Sequence, residues 1–353
     1  MTAVSHPSGS TTCPARQRGT GLDGHDHSDP GQTPPSTPDL AHDPASRVSV
    51  VLLTYNRVDE VMRSLDALRT LCRHSPVIVV DNGSSDGTAE RIAQQYPEVT
   101  LVALPDNRGA AGRNAGVARV TTDYVAFCDD DTWWGPGSLA KAAELLDAHP
   151  HVAILSSRIV VGPEENEDDT CRLMAVSPLP ADGLPGPALI GYMAGASVHR
   201  VRAFREVGGY CPRLFIGGEE ELVALDLLSA GWSIAYAPML RVHHHPSVWR
   251  DGPRRLRLLA RNAAWVALMR LPLRAALRRM LRAVRVMARE KVLWRGLADM
   301  LRGLPWALRQ RRPVPQRVLG MLACVARSES AAIAPGALPV EAPAAAGKAQ
   351  VSR

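Results

Sequence analysis

Short apolar strands that alternate with amphipathic helices constrain the fold of this chain more than any other feature. Runs of mainly Val, Leu, Ile and Ala occupy residues 48–53, 77–80, 99–103 and 124–128, and each is followed by a polar loop. Between them, apolar residues recur three and four positions apart, which is typical of helices with one buried face. Elements in this order form a parallel sheet whose strands all end at one edge, where ligands bind. The sequence therefore predicts an α/β fold with its site at that edge.

Composition divides the 353 residues into four segments. Residues 1–46 are rich in Ser, Thr, Pro, Gly, His and Asp and contain few bulky apolar side chains, so we expect a disordered leader. Residues 47–249 hold the predicted α/β domain. Residues 250–327 are basic and amphipathic, and we expect helices there. The Ala- and Pro-rich residues 328–353 are predicted to form a disordered tail.

Positive charge is concentrated after the predicted domain. Residues 250–312 contain 18 Lys or Arg and three acids, a net +15, whereas the whole chain carries +6, so the rest sums to −9. Between Arg274 and Arg289, apolar residues and arginines occupy different faces of a predicted helix. Such a helix either binds an anionic membrane surface or packs against the preceding domain with its arginines in solvent. The arginines alternate with Leu, Ala and Val and not with aromatic residues, which argues against nucleic acid as a partner.

Cysteine usage and hydropathy bear on the compartment. The six cysteines stand far apart and form no C-x-x-C pair, which predicts reduced thiols and no zinc site. Arginines interrupt every Leu-rich run after position 250, so no run of about 18 apolar residues could cross a bilayer. The N-terminal residues lack the basic and then apolar pattern of a secretion signal. We therefore expect a cytoplasmic protein, either free or peripheral on the cytosolic face of a membrane.

Three successive carboxylates follow the fourth predicted strand. Asp129, Asp130 and Asp131 lie where the sheet edge should hold its ligand. Adjacent carboxylates repel one another, and a divalent cation such as Mg²⁺ or Mn²⁺, itself bound to phosphate oxygens, would compensate that repulsion. A solvated acidic turn is the alternative interpretation, and the position directly after a buried strand argues against it.

Four strings of the sequence resemble the successive signatures of family 2 glycosyltransferases, the rhamnosyltransferases among them. They occupy residues 48–57, 79–88, 107–116 and 124–131, in the order and spacing of the family over roughly residues 46–250. The resemblance implies a GT-A fold, a Rossmann-like and mostly parallel sheet flanked by helices, here with a C-terminal basic helical extension. It also implies inverting transfer of a sugar from a nucleotide diphosphate sugar to a hydroxyl of a glycan or lipid-linked acceptor in cell-surface glycan synthesis.

The resemblance further implies which residues bind the donor. Asp129 and Asp131 resemble the acids of the D-x-D motif, which hold the ribose and the Mn²⁺ or Mg²⁺ bound to the diphosphate, and His244 resembles a histidine that reaches back to that metal. Trp133 and Trp134 are candidates for stacking on a sugar, although core positions would suit them equally. The other residues implied in nucleotide-sugar binding are Thr54, Tyr55, Asn56, Arg57, Asp81, Asn82, Asn107, Gly109, Arg113 and Asp130.

A run of three glutamates resembles the family's acceptor-side motif, in which a carboxylate at a helix start is the general base. Counting back from the Gly-Trp pair at 231–232 places Glu220 at the base position and Glu219 on the neighbouring acid, with Glu221 as a third candidate. Glu stands here where Asp is usual, Leu222 stands where a second Asp is frequent, and Asp226 stands where many members have Arg. Capping of the helix dipole is the alternative role for any of the three glutamates.

Two other classes of function compete with this interpretation. A metal-dependent nucleotidyltransferase would also combine an α/β nucleotide domain with a cation, but the sequence contains no glycine-rich phosphate loop with a lysine. A non-enzymatic protein that binds anionic membranes or nucleic acid would account for the basic segment alone. Neither alternative explains the four family-like strings.

Overall fold

The computed structural model describes residues 43–246 and 252–333, which belong to one compact unit. A short 3-10 helix, Pro44–Arg47, precedes the first strand, and the Arg47 side chain pairs with Asp123 and Asp147. Residues 43–46 of the predicted leader are thus folded onto the domain. The rest of the leader, residues 247–251 and the predicted tail beyond residue 333 lie outside the described residues.

Nine strands and eleven helices are formed by the described residues. The strands are β1 (Val48–Thr54), β2 (Val77–Asp81), β3 (Thr100–Ala103), β4 (Tyr124–Asp129), β5 (Thr132–Trp134), β6 (Val152–Val161), β7 (Asn166–Glu167), β8 (Ser197–Arg200) and β9 (Ser233–His244). The helices are α1 (Val58–Leu71), α2 (Thr88–Gln95), α3 (Arg113–Val117), α4 (Ser138–Ala148), α5 (Asp169–Ala175), α6 (Val201–Glu206), α7 (Glu219–Ala230), α8 (Gly252–Arg270), α9 (Leu273–Arg289), α10 (Leu293–Arg309) and α11 (Gln316–Ile333).

The strands form one sheet in the order β3-β2-β1-β4-β8-β6-β9-β5, with β7 paired to β6. The four strands predicted from the sequence, β1 to β4, are parallel neighbours, and β6 and β9 are also parallel. The antiparallel pairs of the described residues all involve β5, β7 or β8, which are two to four residues long. The α/β class of fold is confirmed.

Helix α3 lies close against the parallel half of the sheet because it contains a glycine at the contact. A Cβ atom on Gly116 would lie 2.5 Å from a methyl carbon of Val51 and 2.9 Å from one of Val80. Both valines are completely buried in the core. Close packing of this kind fixes the start of α3, and with it Arg113, above the ends of β1 and β2.

The basic C-terminal helices pack on the α/β domain with one side, while α9 and α10 are exposed on the other, so the two arrangements that the sequence left open are not exclusive. Helix α8 is buried along much of its length, and its Arg270 pairs with Asp226 of α7 at 2.9 Å between Nη2 and Oδ2. Arg279 of α9 pairs with Glu221 of α7. The opposite faces of α9 and α10 remain exposed. Within the described residues, no helix has the length and apolar character needed to cross a membrane.

Candidate active site

The pairing of β5 with β9 brings His244, the last residue of β9, close to the three aspartates. Thr132 of β5, directly after the aspartates, is paired with His244 of β9. The His244 Nε2 atom lies 3.8 Å from Oδ2 of Asp131, and the backbone N–H of His245 donates to the Asp131 carbonyl at 2.9 Å. The Asp131 carboxylate raises the pKa of His244. Two of the three predicted metal ligands are therefore neighbours.

Asp130, the central acid, binds the loop after β1. Its Oδ1 atom accepts from Arg57 Nη1 at 2.9 Å, and its Oδ2 atom accepts from Thr54 Oγ1 at 3.2 Å. Burial raises the pKa of Asp130 to about 7, and the charges of Asp131 and Asp129 act in the same direction, whereas Arg57 opposes them. Arg57 also lies 3.5 Å from Asp131. Both carboxylate oxygens of Asp130 are thus engaged by the protein, so its predicted contribution to nucleotide binding is through these partners.

Asp129 is held by a buried arginine. Arg113, at the first turn of α3, donates from Nη2 to Asp129 Oδ1. The backbone N–H of Asp129 donates to Thr132 Oγ1 at 2.8 Å, which shapes the turn between β4 and β5. A Cβ atom on Gly195 would overlap Oδ2 of Asp129, so only glycine allows this approach. The ion pair leaves Arg113 Nε buried without a partner.

The loops after β1 and β2 are joined by Asn56. This residue has a φ of 50°, a left-handed conformation, and its Oδ1 accepts from the Ser85 N–H at 2.8 Å. Its own N–H donates to Ser84 Oγ at 2.9 Å. Tyr55, its neighbour, is 42% exposed and free to cover a flat ligand.

Asp81, at the end of β2, presents an unused acceptor. Its carboxylate is almost completely buried, and Oδ2 accepts from the Ser84 N–H at 3.2 Å. Oδ1 has no partner. A buried carboxylate oxygen without a donor is costly, so this atom is suited to accept an N–H of a ligand.

Asn82 organises the neighbouring loop through its side chain. Its Nδ2 donates to Asn107 Oδ1 and to the Gly109 carbonyl, both at 3.0 Å, and its Oδ1 accepts from the Arg108 N–H at 3.0 Å. Gly109 has a φ of 59°, and a Cβ there would overlap the Phe215 carbonyl oxygen. These residues shape the loop that leads to α3, and the amide of Asn82 is occupied by that loop.

Glu219, Glu220 and Glu221 begin α7 but differ in their surroundings. Glu220 Oε1 accepts from the Ala194 N–H at 2.7 Å; burial, with the charge of Glu219, raises the pKa of Glu220 to about 7. Burial also raises the pKa of Glu219, whose Oε2 has no partner. Glu221 is paired with Arg279 of α9. Of the three, Glu220 combines a fixed orientation with a pKa suited to proton transfer near neutral pH.

The two tryptophans lie in different environments. Trp134 is 0% exposed within the core and therefore cannot stack on a sugar, which removes it from the predicted contacts. Trp133 is half-buried and stacks on His243, with ring centroids 5.7 Å apart and an interplanar angle of 12°. It also lies 5.0 Å from the ring of His245. Trp133 thus packs against His243 and His245, beside the aspartates.

The donor set for a metal is incomplete in the protein alone. Among residues 43–246 and 252–333, no group of three or more His, Cys, Asp or Glu side chains is arranged to hold a metal ion. His244 and Asp131 supply two suitable atoms, while Asp129 is engaged by Arg113. Oxygen and imidazole nitrogen suit Mg²⁺ or Mn²⁺, and phosphate oxygens of a substrate commonly complete such sites.

Several site residues were not identified from the sequence. Ala194 and Gly195 contact Glu220 and Asp129 through the backbone, in a segment with no periodic pattern. Tyr192 and Tyr210 are buried and share a hydrogen bond of 3.2 Å between their hydroxyl groups. Both tyrosines lie within the electrostatic reach of Glu219 and Glu220. Tyr210 belongs to the Val-Gly-Gly-Tyr string at 207–210, which together with the three glutamates resembles the family's acceptor-side segment.

Comparison with known protein families and sequences confirms the resemblance. The family described as Glycosyl transferase family 2 matches residues 49–208. The pre-mycofactocin glycosyltransferase of Mycobacterium tuberculosis is 33% identical over 216 residues, which cover 58% of this chain and 44% of that protein. The N-acetylglucosaminyl-diphospho-decaprenol L-rhamnosyltransferase of the same organism is 28% identical over 234 residues, which cover 56% of this chain and 75% of that protein. The chain spans less than half the length of the first of these relatives.

Solved structures share the fold at low sequence identity. Staphylococcus aureus TarS 1-349 in complex with UDP-GlcNAc has a TM-score of 0.51 and 17% identity, covering 78% of this chain and 83% of that chain. GalNAc-T7 with UDP, GalNAc and Mn²⁺ has a TM-score of 0.50 and 13% identity, and the match covers 64% of this chain and 48% of that chain. These similarities confirm the predicted GT-A type of fold.

Proposed function

We propose, because residues 49–208 of this chain belong to glycosyltransferase family 2, that the protein transfers a sugar from a nucleotide diphosphate sugar to an acceptor hydroxyl with inversion. The position of Arg113 carries this proposal. Arg113 pairs with Asp129 on the donor side, and it interacts electrostatically with Glu219 and Glu220 on the acceptor side. Sugar transfer requires the donor site and the general base to lie close to each other.

The donor nucleotide occupies the loops at the ends of β1 and β2. Asp81 Oδ1 accepts the N–H of a pyrimidine base, and the exposed ring of Tyr55 covers that base. The two solved structures described above contain UDP-GlcNAc and UDP, which supports a UDP- or dTDP-linked sugar here. The diphosphate lies toward Asp131 and His244.

Asp131 and His244 are the residues that would hold a divalent cation. When bound, Mg²⁺ or Mn²⁺ supplies positive charge where the leaving diphosphate becomes more negative. The Mn²⁺ in the GalNAc-T7 structure supports this assignment. Arg57, 3.5 Å from Asp131, orients that carboxylate.

Glu220 is the proposed general base. The Ala194 N–H fixes Oε1, which leaves Oε2 for the acceptor hydroxyl. The acceptor oxygen attacks the anomeric carbon opposite the diphosphate, the bond from that carbon to the diphosphate breaks, and Glu220 takes the hydroxyl proton. A pKa of about 7 matches this role near neutral pH.

A donor screen tests the proposal directly. We expect UDP- or dTDP-sugars with Mn²⁺ or Mg²⁺ to raise the melting temperature, since a ligand at one hundred times its Kd adds about 2.7 kcal/mol of stability. Sugar transfer to a glycan or polyprenyl-linked acceptor is then measured by the release of the nucleoside diphosphate. Stabilisation by nucleoside triphosphates with release of pyrophosphate would instead indicate a nucleotidyltransferase.

The rate should depend on pH through Glu220. A base must be ionised, so we expect turnover to rise about tenfold per pH unit below about 7 and to level off above it. The facing groups are Glu219 and Asp129, which raise the Glu220 pKa, and Arg113, which lowers it. The measurement is turnover against pH at saturating donor, acceptor and metal. A profile that levels off near pH 4.5, the ordinary value for glutamate, would contradict the assignment.

The acceptor is proposed to be lipid-linked and reached at an anionic membrane surface. One relative is named as a rhamnosyltransferase acting on a diphospho-decaprenol substrate. On α9, Leu273, Leu277 and Leu281 are exposed in one row, with arginines beside them. On α10, exposed apolar residues recur every seven positions, at Trp294, Leu301 and Leu308. Exposed leucines flanked by arginines match acyl chains and anionic headgroups.

Replacing four exposed arginines of α9 should weaken binding to anionic vesicles. We expect the variant Arg274→Gln, Arg278→Gln, Arg282→Gln, Arg285→Gln to lose about 30-fold or more in partition, because two contacting arginines at about 1 kcal/mol each already give that factor. Sedimentation with anionic and neutral vesicles measures it.

A matched control removes the same charge elsewhere on the surface. The control variant carries glutamine at four exposed arginines of the α/β domain, Arg63, Arg91, Arg119 and Arg172. We expect it to bind vesicles nearly as the wild type does. Equal loss in both variants would mean that net charge alone drives binding, and no binding by the wild type would contradict the membrane assignment.

A further inference from the structure

The segment between α6 and α7 connects the two sides of the candidate site. The Phe215 carbonyl accepts from the Ala110 N–H at 2.7 Å, in the loop that leads to Arg113. Phe215 itself has a φ of 65°. Three residues later, Gly218 precedes the first turn of α7, where Glu220 lies. The position of residues 213–218 therefore determines where the proposed base stands.

Asn262 of α8 binds this segment from the C-terminal region. Its side chain is 0% exposed, and Nδ2 donates to the carbonyl oxygens of Leu214 at 2.6 Å, Ile216 at 3.0 Å and Gly217 at 2.6 Å. Its Oδ1 accepts from Arg261 Nε at 2.9 Å, which fixes the orientation of the amide. The two N–H groups of one amide thus lie within hydrogen-bond distance of three carbonyls in a segment that has no regular structure.

The same helix also confines the turn sterically. Gly217 and Gly218 have φ values of 82° and 84°, a left-handed conformation that favours glycine. A Cβ on Gly217 would overlap the Leu259 side chain, and one on Gly218 would lie 3.2 Å from Asn262 Cβ. The turn into α7 therefore lies in close contact with α8 at both glycines.

We propose that Asn262 is a positioning residue for sugar transfer, holding the 213–218 segment so that Glu220 reaches the acceptor hydroxyl. This inference rests on the proposed function of Glu220. Asn262 lies outside residues 49–208, where the family match ends, and among the apolar and arginine positions of α8. The C-terminal helices would then complete the active site as well as bind membranes.

The test combines kinetics with amide hydrogen exchange on the full chain. We expect Asn262→Ala to lower kcat by about 10- to 100-fold, since a small displacement of a reacting group has costs of this size. KM for the donor should change less than threefold, because the donor loops retain their own bonds. The acid limb of the profile of kcat against pH should shift. The backbone amides of peptides covering residues 213–220 should exchange their hydrogens faster.

Trp265→Phe is the matched control on the same helix. It removes the bond of 3.0 Å from Trp265 Nε1 to the Met300 carbonyl, which joins α8 to α10, and it keeps an aromatic ring beneath Arg261, whose guanidinium lies 4.3 Å from the centre of the Trp265 ring. We expect it to lower the melting temperature while kcat, the pH profile and exchange at 213–220 stay as in the wild type. A merely structural role of Asn262 predicts that both variants behave alike.

A second variant covers the case in which Asn262→Ala does not fold. Leu259 is 38% exposed, so Leu259→Ala should fold while removing the wall beside Gly217, and it should lower kcat with faster exchange at 213–220. Wild-type kcat and exchange in a folded Asn262→Ala protein, or in Leu259→Ala if the former is insoluble, would overturn the inference. A wild-type protein that transfers no sugar from any donor would contradict the proposed function instead.

Discussion

Glu220→Gln is expected to lower the turnover of sugar transfer by about 10²- to 10⁴-fold, the usual contribution of a general base. Glutamine retains the size of the side chain and can still accept from the Ala194 N–H, but it cannot take a proton. Donor binding, measured by calorimetry with UDP-sugars, should therefore remain close to that of the wild type. The rise of activity through pH 7 should also disappear from the residual rate.

The neighbouring glutamates serve as controls for this experiment. Glu221→Gln weakens the pair with Arg279 and should reduce stability while most of the turnover remains. Glu219→Gln removes a charge that raises the Glu220 pKa, so we expect its acid limb to move to lower pH. An inactive Glu219→Gln together with an active Glu220→Gln would transfer the role of base to Glu219. Full activity in all three variants would contradict inverting transfer with a glutamate base.

The parallel half of the sheet could be predicted because β1, β2 and β4 are buried almost throughout, although β3, at the sheet edge, is only partly buried. Such strands read as continuous apolar runs, and β1, β2, β3 and β4 were all found at or within one or two residues of their observed ends. β5, β6, β7 and β8 were not predicted; for β5 and β7 the reason is that two or three residues give no periodic signal. β5 nevertheless determines the site, since its pairing with β9 places His244 beside Asp131.

The sequence identified the acidic residues but not the different side chains with which each of them pairs. Asp129, Asp130 and Asp131 are chemically identical, and their different partners come from remote parts of the chain: Arg113 for Asp129, Arg57 for Asp130. Local sequence could not reveal these pairings. Nor could it distinguish a core tryptophan from an exposed one at 133 and 134, because burial there depends on how β5 packs.

Hydrogen-bonding residues in loops were the hardest to interpret. Asn82 was expected to take part in nucleotide-sugar binding, and its amide shapes the loop at Asn107 and Gly109. Asn262 gave no signal at all, since a single asparagine in a helix has no characteristic pattern. In both cases the role is set by backbone carbonyls whose direction only the folded chain defines.

Asp131→Ala is expected to abolish the part of donor binding that depends on a divalent cation. If Asp131 and His244 are the two protein ligands, removal of Asp131 would leave only His244 and the diphosphate to hold the cation, and we expect transfer to fall by about 100-fold or more. Calorimetry with UDP in Mn²⁺ and in EDTA measures the metal-dependent part of the affinity. The wild type should bind UDP more tightly in Mn²⁺, and the variant should show little difference between the two conditions.

His244→Ala gives a sharper test, because two ligands of one ion are coupled. If Asp131 and His244 bind the same cation, the double variant should lose little more UDP affinity than either single variant, so that the losses are far from additive. Asp106→Ala is the matched control: Asp106 is an exposed acid paired with Arg108, and its loss should leave the effect of Mn²⁺ unchanged. Additive losses would mean that Asp131 and His244 do not bind the same cation. Activity that persists in EDTA, together with an active Asp131→Ala variant, would contradict metal dependence.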